Sequence, residues 1–327
     1  MTAMMRAVQL TEFGGPEVLR VTDLPRPSAR PGWVLLRVHA FGLNRSELHF
    51  RRGMGSFGSL PRIPGIEATG EVVEAPGGEF AVGTKAAAVM GGMGRNFDGG
   101  YAEFVLVPAS TVIPFTSDLD WATLGAIPEM LQTANGSLTV VDPAPGSSLL
   151  IRGGTSSIGL ALAVIAKRRG LTVISTTRNA AKSDLLRDTG ADHVVIDTGL
   201  IADTVREIVP EGVGGAVELV GATTLRDTLR ATAKLATVSF TGMVADDWTV
   251  EDFYPIDFIP NGVRLTAYSG EASDLPADVL QEFIDAVAEG HARVPIGRVY
   301  GLTDIVQAHR DMEDGTVSGK LVVVTDR

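Results

Sequence analysis

The chain has 327 residues, a formal net charge of −11, and 45% hydrophobic against 20% charged residues. This length suggests two domains, each large enough for its own core, and the composition argues against disorder. The negative charge argues against nucleic acid or an anionic membrane as a partner.

Cysteine is absent, which excludes disulfides, thiolate nucleophiles and any cysteine-ligated zinc site. The five histidines show no paired ligand spacing, so no metal site is expected. No apolar run is long enough to span a bilayer, and the opening MTAMMRAVQL lacks the apolar core of a secretory signal. These features predict a cytoplasmic protein that does not associate with membranes.

The first part of the chain, to about residue 110, predicts an irregular, barrel-like β domain with little helix. Glycines and prolines interrupt the predicted strands, which cover residues 4–10, 18–24, 33–41, 66–75 and 101–107. Residues 120–141 predict one helix that connects this domain to the next.

Strands then alternate with helices, a pattern typical of a doubly wound parallel sheet. Six strands are predicted, at 148–152, 172–177, 193–197, 215–220, 235–241 and 263–268. The helices between them are predicted near 158–169, 180–189, 202–209 and 224–233. The tail carries helices at 276–290 and 303–313 and a strand at 320–325, and we expect it to complete the first domain. The predicted domains are 122–269 for the parallel sheet, and 1–121 with 270–327 for the β domain.

The first of these strands runs into a glycine turn, GGTSSIG at 153–159, and an apolar helix follows. Strand, glycine turn and helix form the entry of a dinucleotide-binding unit, in which amides at the helix start hold a pyrophosphate. The fingerprint is imperfect, because Ser156 stands where the middle glycine usually lies between Gly154 and Gly159. Serine is small and adds a hydroxyl donor, so dinucleotide binding is still predicted. A hydrolase nucleophile elbow would need glycine two residues after Ser156, and that position is Ile158, so this alternative is excluded.

The residues after the second strand bear on the choice of cofactor. NAD-selective sites usually place an acid there, about 20 residues past the glycine turn, to hold the ribose hydroxyls. Here the sequence continues from Thr177 with Arg178 and Lys182 and has no acid. Both cations could pair with a 2′-phosphate, so we predict NADPH. The alternative is that both belong to a solvated helix start.

Five stretches of the chain, in this order and spacing, resemble the medium-chain dehydrogenase/reductase superfamily, in its zinc-free quinone oxidoreductase and enoyl reductase branch. They are GLNRSELHFRRG (42–53), PGIEATGEV (64–72), GGYAEF (99–104), IPEMLQTANGSL (127–138) and GGTSSIG (153–159). The resemblance implies a Rossmann doubly wound parallel sheet of six strands plus an irregular GroES-like β-barrel domain. Zinc-dependent members carry a cysteine and a histidine where this chain has Asn44 and Ile66, so the resemblance implies that no metal is bound.

The resemblance also implies a set of cofactor contacts. Asn44 and Thr133 would lie near the nicotinamide, the glycine turn with the two cations would meet the phosphates, and two later strand ends would approach the nicotinamide half. The predicted cofactor-binding residues are Asn44, Thr133, Gly154, Thr155, Ser156, Ser157, Ile158, Gly159, Thr177, Arg178, Lys182, Val220, Thr241, Gly242, Tyr268, Ser269 and Lys320. The alternatives are that Asn44 only caps a turn, that Thr133 bonds to its own helix backbone, and that Tyr268 belongs to the core.

The predicted catalytic residues are Asn44 and His49. Many quinone-reductase relatives have tyrosines after the segment of Asn44, and this chain has none there. His49, expected on a surface loop, could act as proton donor because the ordinary pKa of histidine lies near 6.5. The alternative is an inert surface histidine.

The favoured hypothesis is an NADPH-dependent reductase of quinones or α,β-unsaturated carbonyls. Apolar residues of the loops 53–60 and 91–97 would contact the substrate. The alternatives are a non-catalytic NADPH-binding redox sensor or structural protein, and a zinc-free alcohol or carbonyl dehydrogenase. The apolar stretch FIPNGVRLTAYSG (258–270) ends the predicted sheet at an open edge and predicts a homodimer.

Overall fold

A computed structural model describes residues 3–54, 58–317 and 319–326. The chain forms two compact units, Met1–Glu129 with Glu271–Arg327 and Met130–Gly270. The first boundary therefore lies eight residues beyond the predicted one, and the second lies one residue beyond. No helix within the described ranges combines the length and the apolar character needed to cross a membrane.

The strands are β1 Met4–Leu10, β2 Leu19–Pro25, β3 Trp33–Gly42, β4 Glu67–Glu74, β5 Lys85–Val89, β6 Phe104–Pro108, β7 Val112–Pro114, β8 Ser148–Arg152, β9 Thr172–Thr177, β10 His193–Ile196, β11 Val213–Glu218, β12 Thr232–Phe240, β13 Arg264–Ala267, β14 Ile296–Gly301 and β15 Lys320–Val324. The α-helices are α1 Arg45–Arg51, α2 Trp121–Gly125, α3 Pro128–Val141, α4 Ser157–Arg168, α5 Ser183–Asp188, α6 Ala202–Ile208, α7 Ala222–Ala231, α8 Pro255–Phe258, α9 Ala277–Ala288 and α10 Ile305–Asp314.

The second unit is built on a six-stranded sheet in the order β10-β9-β8-β11-β12-β13, with every neighbouring pair parallel. Its central strands are apolar because they are buried on both faces. Leu150, Ile174, Ala216 and Val238 belong to one core cluster and are fully buried. The predicted doubly wound sheet of six strands is confirmed, and its order places the first strand, β8, at the middle.

The first unit is built on a mixed seven-stranded sheet in the order β14-β15-β3-β4-β5-β7, and β6 pairs separately with β3. The ten-residue strand β3 is long enough for two partners on one edge, β6 along its first half and β15 at its end. The strands β1 and β2 form a separate antiparallel pair. This is the GroES-like domain that the resemblance implied.

The predicted single helix 120–141 is wrong, because the structure has two helices, α2 and α3. Proline lacks an amide hydrogen and disfavours a helical conformation in the residue before it, so a new helix begins at Pro128. The separate helix α2 packs on the first unit, where Trp121 stacks on His39 with ring centroids 4.4 Å apart. This packing explains why the first unit extends beyond the predicted boundary.

The strand β5 was not predicted. Its sequence, KAAAV, is rich in alanine, which is depleted in strands, so the local sequence gives no strand signal. Ala86, Ala87 and Ala88 are nevertheless fully buried, and β5 lies between β4 and β7 in the sheet. Only the pairing partners on both sides make this segment a strand.

The glycine turn lies very close to the neighbouring strand β9. A Cβ atom added to Gly154 would lie 1.9 Å from the Oγ of Ser175, and one added to Gly159 would lie 2.7 Å from the carbonyl oxygen of Gly153. Both positions therefore require glycine for packing.

We expect Gly154→Ala to lower the free energy of unfolding by about 1–3 kcal/mol, the usual cost of overpacking. Ser175→Gly alone, which places glycine inside a strand, should cost about 0.5–1 kcal/mol. The double variant should lose less than the sum of the two, because removing the serine side chain makes room for the alanine. Urea denaturation of all four proteins measures this coupling, and strictly additive losses would contradict the close contact.

Candidate functional site

The glycine turn joins β8 to α4 and is closed by the Ser156 side chain. Its hydroxyl donates to the carbonyl oxygen of Gly153 at 2.8 Å and accepts from the amide of Gly159 at 3.1 Å. The hydroxyl donor that the sequence predicted at this position is engaged inside the turn, and direct contact of Ser156 with a cofactor stays a prediction. Ser156 caps α4, a common role for serine at this position.

The geometry of the turn fits a pyrophosphate. Amides in the first turn of a helix, here those of Ser157 and Ile158, have no partner within the helix. These donors and the positive end of the α4 dipole form an anion-binding site. The Ser156 hydroxyl bonds to the carbonyl oxygen of Gly153 within the turn, and Gly154 has no side chain. Neither residue therefore places a bulky side chain over the amides of the helix start.

The predicted 2′-phosphate residues follow β9 directly. Thr177 is buried, and its hydroxyl accepts from the amide of Asn179 at 3.1 Å. Arg178 is exposed, and Lys182 is half-buried at the end of a short 3-10 helix. The strand β9 is the direct neighbour of β8 in the sheet, so the segment that carries both cations follows the strand next to the one that leads into the glycine turn.

The later predicted residues also lie at the carboxyl edge of this sheet. The amides of Thr241 and Gly242 both donate to the carbonyl oxygen of Glu218 at 3.0 Å, just after β12. The amide of Val220 donates to the Glu218 carboxylate at 2.7 Å, just after β11. Ser269 is exposed just beyond β13. Ligands of parallel sheets bind outside the carboxyl ends of the strands, so the structure places these residues at the expected edge.

Thr133 and Tyr268 are brought together by Gln132, a residue that the sequence did not single out. Gln132 accepts from the Thr133 hydroxyl at 3.0 Å and donates to the Tyr268 hydroxyl at 2.8 Å. The phenol lies against Gly136 of α3, where an added Cβ would be 1.9 Å from the hydroxyl oxygen. Spacing alone could not reveal this link, because Gln132 and Tyr268 are 136 residues apart.

The first unit holds Asn44 in a buried polar cluster. Asn44 lies just before α1, and its Oδ1 accepts from the Lys320 ammonium at 2.5 Å. Its Nδ2 donates to Glu67 at 3.0 Å, and its backbone amide donates to Glu47 at 3.0 Å. Lys320 also lies 3.0 Å from Glu67 and 3.3 Å from Glu129. The ammonium, predicted as a cofactor contact, is thus directed at side chains of its own unit, and direct contact with a cofactor stays a prediction.

Burial and charge act in opposite directions in this cluster. Burial alone would lower the pKa of Lys320, but the carboxylates of Glu67 and Glu129 more than compensate and hold its pKa above the ordinary value. Burial raises the pKa of Glu47 to about 7, because desolvation outweighs the nearby Arg95 and the amide of Ile66. Lys320 therefore keeps its positive charge among the carboxyl groups of this cluster.

His49 does not lie on a surface loop, so that expectation is wrong. It belongs to α1, where its side chain is buried. A capping box stabilises the start of this helix, since the Glu47 carboxylate accepts from the Asn44 amide. This pairing of Asn44 with a glutamate three residues later is a local signal for a helix. Proton donation by His49 stays a prediction.

The two loops predicted to contact substrate meet each other. A Cβ added to Gly58 would lie 2.5 Å from the carbonyl oxygen of Arg95. The loop 53–60 is therefore in close contact with the loop 91–97 at this point. The Arg95 guanidinium lies 4.4 Å above the Phe50 ring and donates to Ser46 at 2.7 Å. Residues 55–57 of the first loop lie outside the described residues. Sequence reasoning missed Arg95, although it is the one cation in GGMGRNF.

The positions of the zinc ligands in zinc-dependent members do not fit a metal. Asn44 has both ends of its amide engaged by Lys320 and Glu67, and Ile66 is a buried apolar side chain. Among the residues that the structure describes, no three or more histidine, aspartate or glutamate side chains are grouped to hold a metal ion.

Comparison with known proteins agrees with this architecture. A family model described as an alcohol dehydrogenase GroES-like domain matches residues 30–117, and one described as a zinc-binding dehydrogenase matches residues 189–323. A quinone oxidoreductase of Mus musculus is 29% identical over 339 residues, covering 98% of each chain.

Two solved structures extend the comparison. A mycobacterial quinone oxidoreductase is 30% identical with a TM-score of 0.83, over 98% of this chain and 99% of the other. A mycobacterial protein complexed with NADPH is 29% identical with a TM-score of 0.84, over the same shares. The chain therefore belongs to the medium-chain dehydrogenase/reductase superfamily of NAD(P)-dependent oxidoreductases, in its quinone oxidoreductase-like branch.

Proposed function

We propose that this protein is an NADPH-dependent, zinc-independent reductase of quinones or α,β-unsaturated carbonyl compounds. The observation that carries the proposal is the carboxyl edge of the parallel sheet, where a glycine turn is followed, after the next strand, by two cations and no acid. The named quinone oxidoreductases among its relatives support the substrate class. A cytoplasmic location and a small-molecule substrate, with neither nucleic acid nor membrane as a partner, are part of the proposal.

The second unit would hold the cofactor. The amides of Ser157 and Ile158 would bind the pyrophosphate, and Arg178 with Lys182 would bind the 2′-phosphate through charge-assisted hydrogen bonds. Bound NADPH would supply the hydride. Thr133 and Tyr268, joined through Gln132, would orient the nicotinamide half.

The first unit would stabilise charge on the substrate. Conjugated acceptors delocalise the negative charge that arrives with a hydride, so they need hydrogen-bond donors rather than a Lewis acid. The Asn44 side-chain amide is hydrogen-bonded to Lys320 and Glu67. Asn44 would therefore act by holding the neighbouring residues of the site in place. The Arg95 guanidinium donates to Ser46 and to the carbonyl oxygen of Gly94, and it would supply a further hydrogen bond to the substrate oxygen. His49 is the candidate proton donor.

We expect NADPH oxidation with quinones or 2-alkenals, and little with simple aldehydes, in buffer that contains a metal chelator. Arg95→Gln should lower kcat/KM about 10–100-fold, because the proposed hydrogen-bond donor to the developing oxyanion is removed. Arg30→Gln is the matched control, since Arg30 also lies over an aromatic ring, that of Trp33 at 4.5 Å. His49→Ala, assayed in parallel, tests the proton donor.

Three outcomes would contradict this proposal. NADPH binding without turnover of any acceptor would favour a redox sensor or structural protein. Reduction of NADP⁺ by simple alcohols in metal-free buffer would favour a zinc-free alcohol dehydrogenase. Stoichiometric zinc in elemental analysis would overturn zinc independence.

Selectivity for NADPH should depend on Arg178 and Lys182. Each single alanine variant should raise KM for NADPH about tenfold and leave KM for NADH unchanged, because hydrogen bonds to charged groups contribute about 1.5–3 kcal/mol. Arg187→Ala is the control, because that exposed arginine pairs with Asp184 in α5. Steady-state kinetics with both cofactors measure the effect, and an equal change for NADH and NADPH would contradict the assignment.

The open edge of the parallel sheet supports a homodimer. Among the residues that the structure describes, β13 pairs with β12 alone, and the segment before it exposes apolar side chains, with Tyr254 at 61% and Ile256 at 80%. Pairing of two copies along β13 would cover an edge that otherwise invites association. Sedimentation at micromolar concentration should give twice the 34.4 kDa chain mass, and a monomer would remove the dimer from the proposal.

A further inference from the structure

The last residue of β8, Arg152, is a fully buried arginine that the proposed chemistry does not use. It bonds Asp197 through two nitrogens, at 2.9 and 3.0 Å, and Asp227 at 2.7 Å. It also donates to the carbonyl oxygens of Thr224 at 3.1 Å and Gly199 at 2.9 Å. Burying a guanidinium is costly unless it is paired and hydrogen-bonded throughout, and here it is.

This network crosses the carboxyl ends of four neighbouring strands. Arg152 ends β8, Thr176 lies one residue before the end of β9, Asp197 follows β10, and Glu218 ends β11. The four strands are adjacent in the sheet order β10-β9-β8-β11, and Arg152 lies opposite Glu218 in the register. The network thus lies beneath the edge at which ligands of parallel sheets bind.

One branch of the network reaches the glycine turn. The Thr176 hydroxyl lies 3.5 Å from the Asp197 carboxylate that Arg152 holds. The same hydroxyl accepts from the amide of Gly153 at 3.0 Å. Gly153 is the first residue of the turn, so this bond sets where the turn leaves the strand.

The other branch reaches the loop after β11. Arg152 donates to the Thr228 hydroxyl at 3.2 Å, and this hydroxyl donates to Glu218 at 2.5 Å. The second Glu218 oxygen accepts from the amides of Val220 at 2.7 Å and Gly221 at 3.2 Å. The branch therefore ends on backbone amides of a loop that contains a predicted cofactor residue.

We infer that Arg152 is a positioning residue for dinucleotide binding. It acts through Asp197 and Thr176 on the amide of Gly153, and through Thr228 and Glu218 on the amides of Val220 and Gly221. It thereby fixes the shape of two cofactor loops before the cofactor arrives, which lowers the ordering cost of binding. This inference rests on the proposed function, because it takes a nicotinamide dinucleotide as the ligand.

The branch to the glycine turn can be cut without removing a buried charge. Thr176→Val keeps the shape and the β-branched character of the side chain and removes only the hydroxyl. Thr176→Ser restores the hydroxyl and is the conservative rescue. Thr172→Val is the matched control, because it makes the same change at the opposite end of β9.

We expect Thr176→Val to raise the Kd of NADPH about tenfold, measured by fluorescence titration, because the turn is no longer held before binding. Thr176→Ser and Thr172→Val should bind NADPH within about twofold of the unaltered protein, because the first keeps the hydroxyl and the second changes a side chain at the far end of the strand. Equal NADPH affinity in Thr176→Val and Thr172→Val would overturn the inference. Failure of the unaltered protein to bind NADPH or NADH would overturn both the inference and the proposed function.

The part played by Arg152 itself is tested by coupling. Arg152→Lys keeps the charge but cannot form the two parallel bonds to Asp197, so it should also raise the NADPH Kd. Combined with Thr176→Val it should bind no more weakly than about twice the worse single variant, because Arg152→Lys already disturbs the branch that Thr176→Val cuts. A double variant whose increase in Kd equals the product of the two single increases would contradict the coupling between Arg152 and Thr176. If Arg152→Lys does not fold, Asp197→Asn takes its place in the same cycle.

Discussion

Charges that are removed from water must be paired, and this constraint organises both units. In the first unit Lys320 is held by Glu67 and Glu129, and in the second Arg152 is held by Asp197 and Asp227. Removing one partner of such a pair typically costs about 3–5 kcal/mol, because the other charge stays buried alone. Each cluster therefore disfavours any arrangement of strands and helices that separates its charges.

In the second unit the paired charges lie at the carboxyl edge of the parallel sheet, where we propose that the cofactor binds. Arg152, Thr176 and Glu218 lie at or next to the ends of adjacent parallel strands, and their hydrogen bonds end on backbone amides of the loops that follow. A loop whose amides are already held loses little freedom when a phosphate arrives. Ser156 adds a local constraint of the same kind, because its hydroxyl closes the turn.

In the first unit the same constraint acts on the side chain of Asn44. At the position of a zinc ligand the chain has Asn44, whose amide oxygen faces an ammonium and whose amide nitrogen faces a carboxylate. Reversing that amide would place its oxygen against Glu67 and its NH₂ group against Lys320, which is electrostatically unfavourable. The asparagine is thus fixed in one orientation by a cation that the protein itself supplies.

The sequence by itself determined the features that depend on neighbouring residues. Alternating apolar strands and helices specified the six-stranded parallel sheet, and GGTSSIG marked its turn, because period and glycine spacing are local properties. The lack of cysteine excluded thiolate chemistry without any structure. Pro128 is a local signal of the same kind, because proline disfavours a helical conformation in the residue before it and so divides the predicted helix.

Only the tertiary structure decided which distant side chains meet. Lys320 and Asn44 are 276 residues apart, and Arg152 and Asp227 are 75 residues apart. The alanine strand β5 and the buried helix that carries His49 also needed their packing partners to be recognised. Local propensity is nearly silent at such positions, because the pairing of buried polar groups is enforced by desolvation, which exists only after the chain has folded.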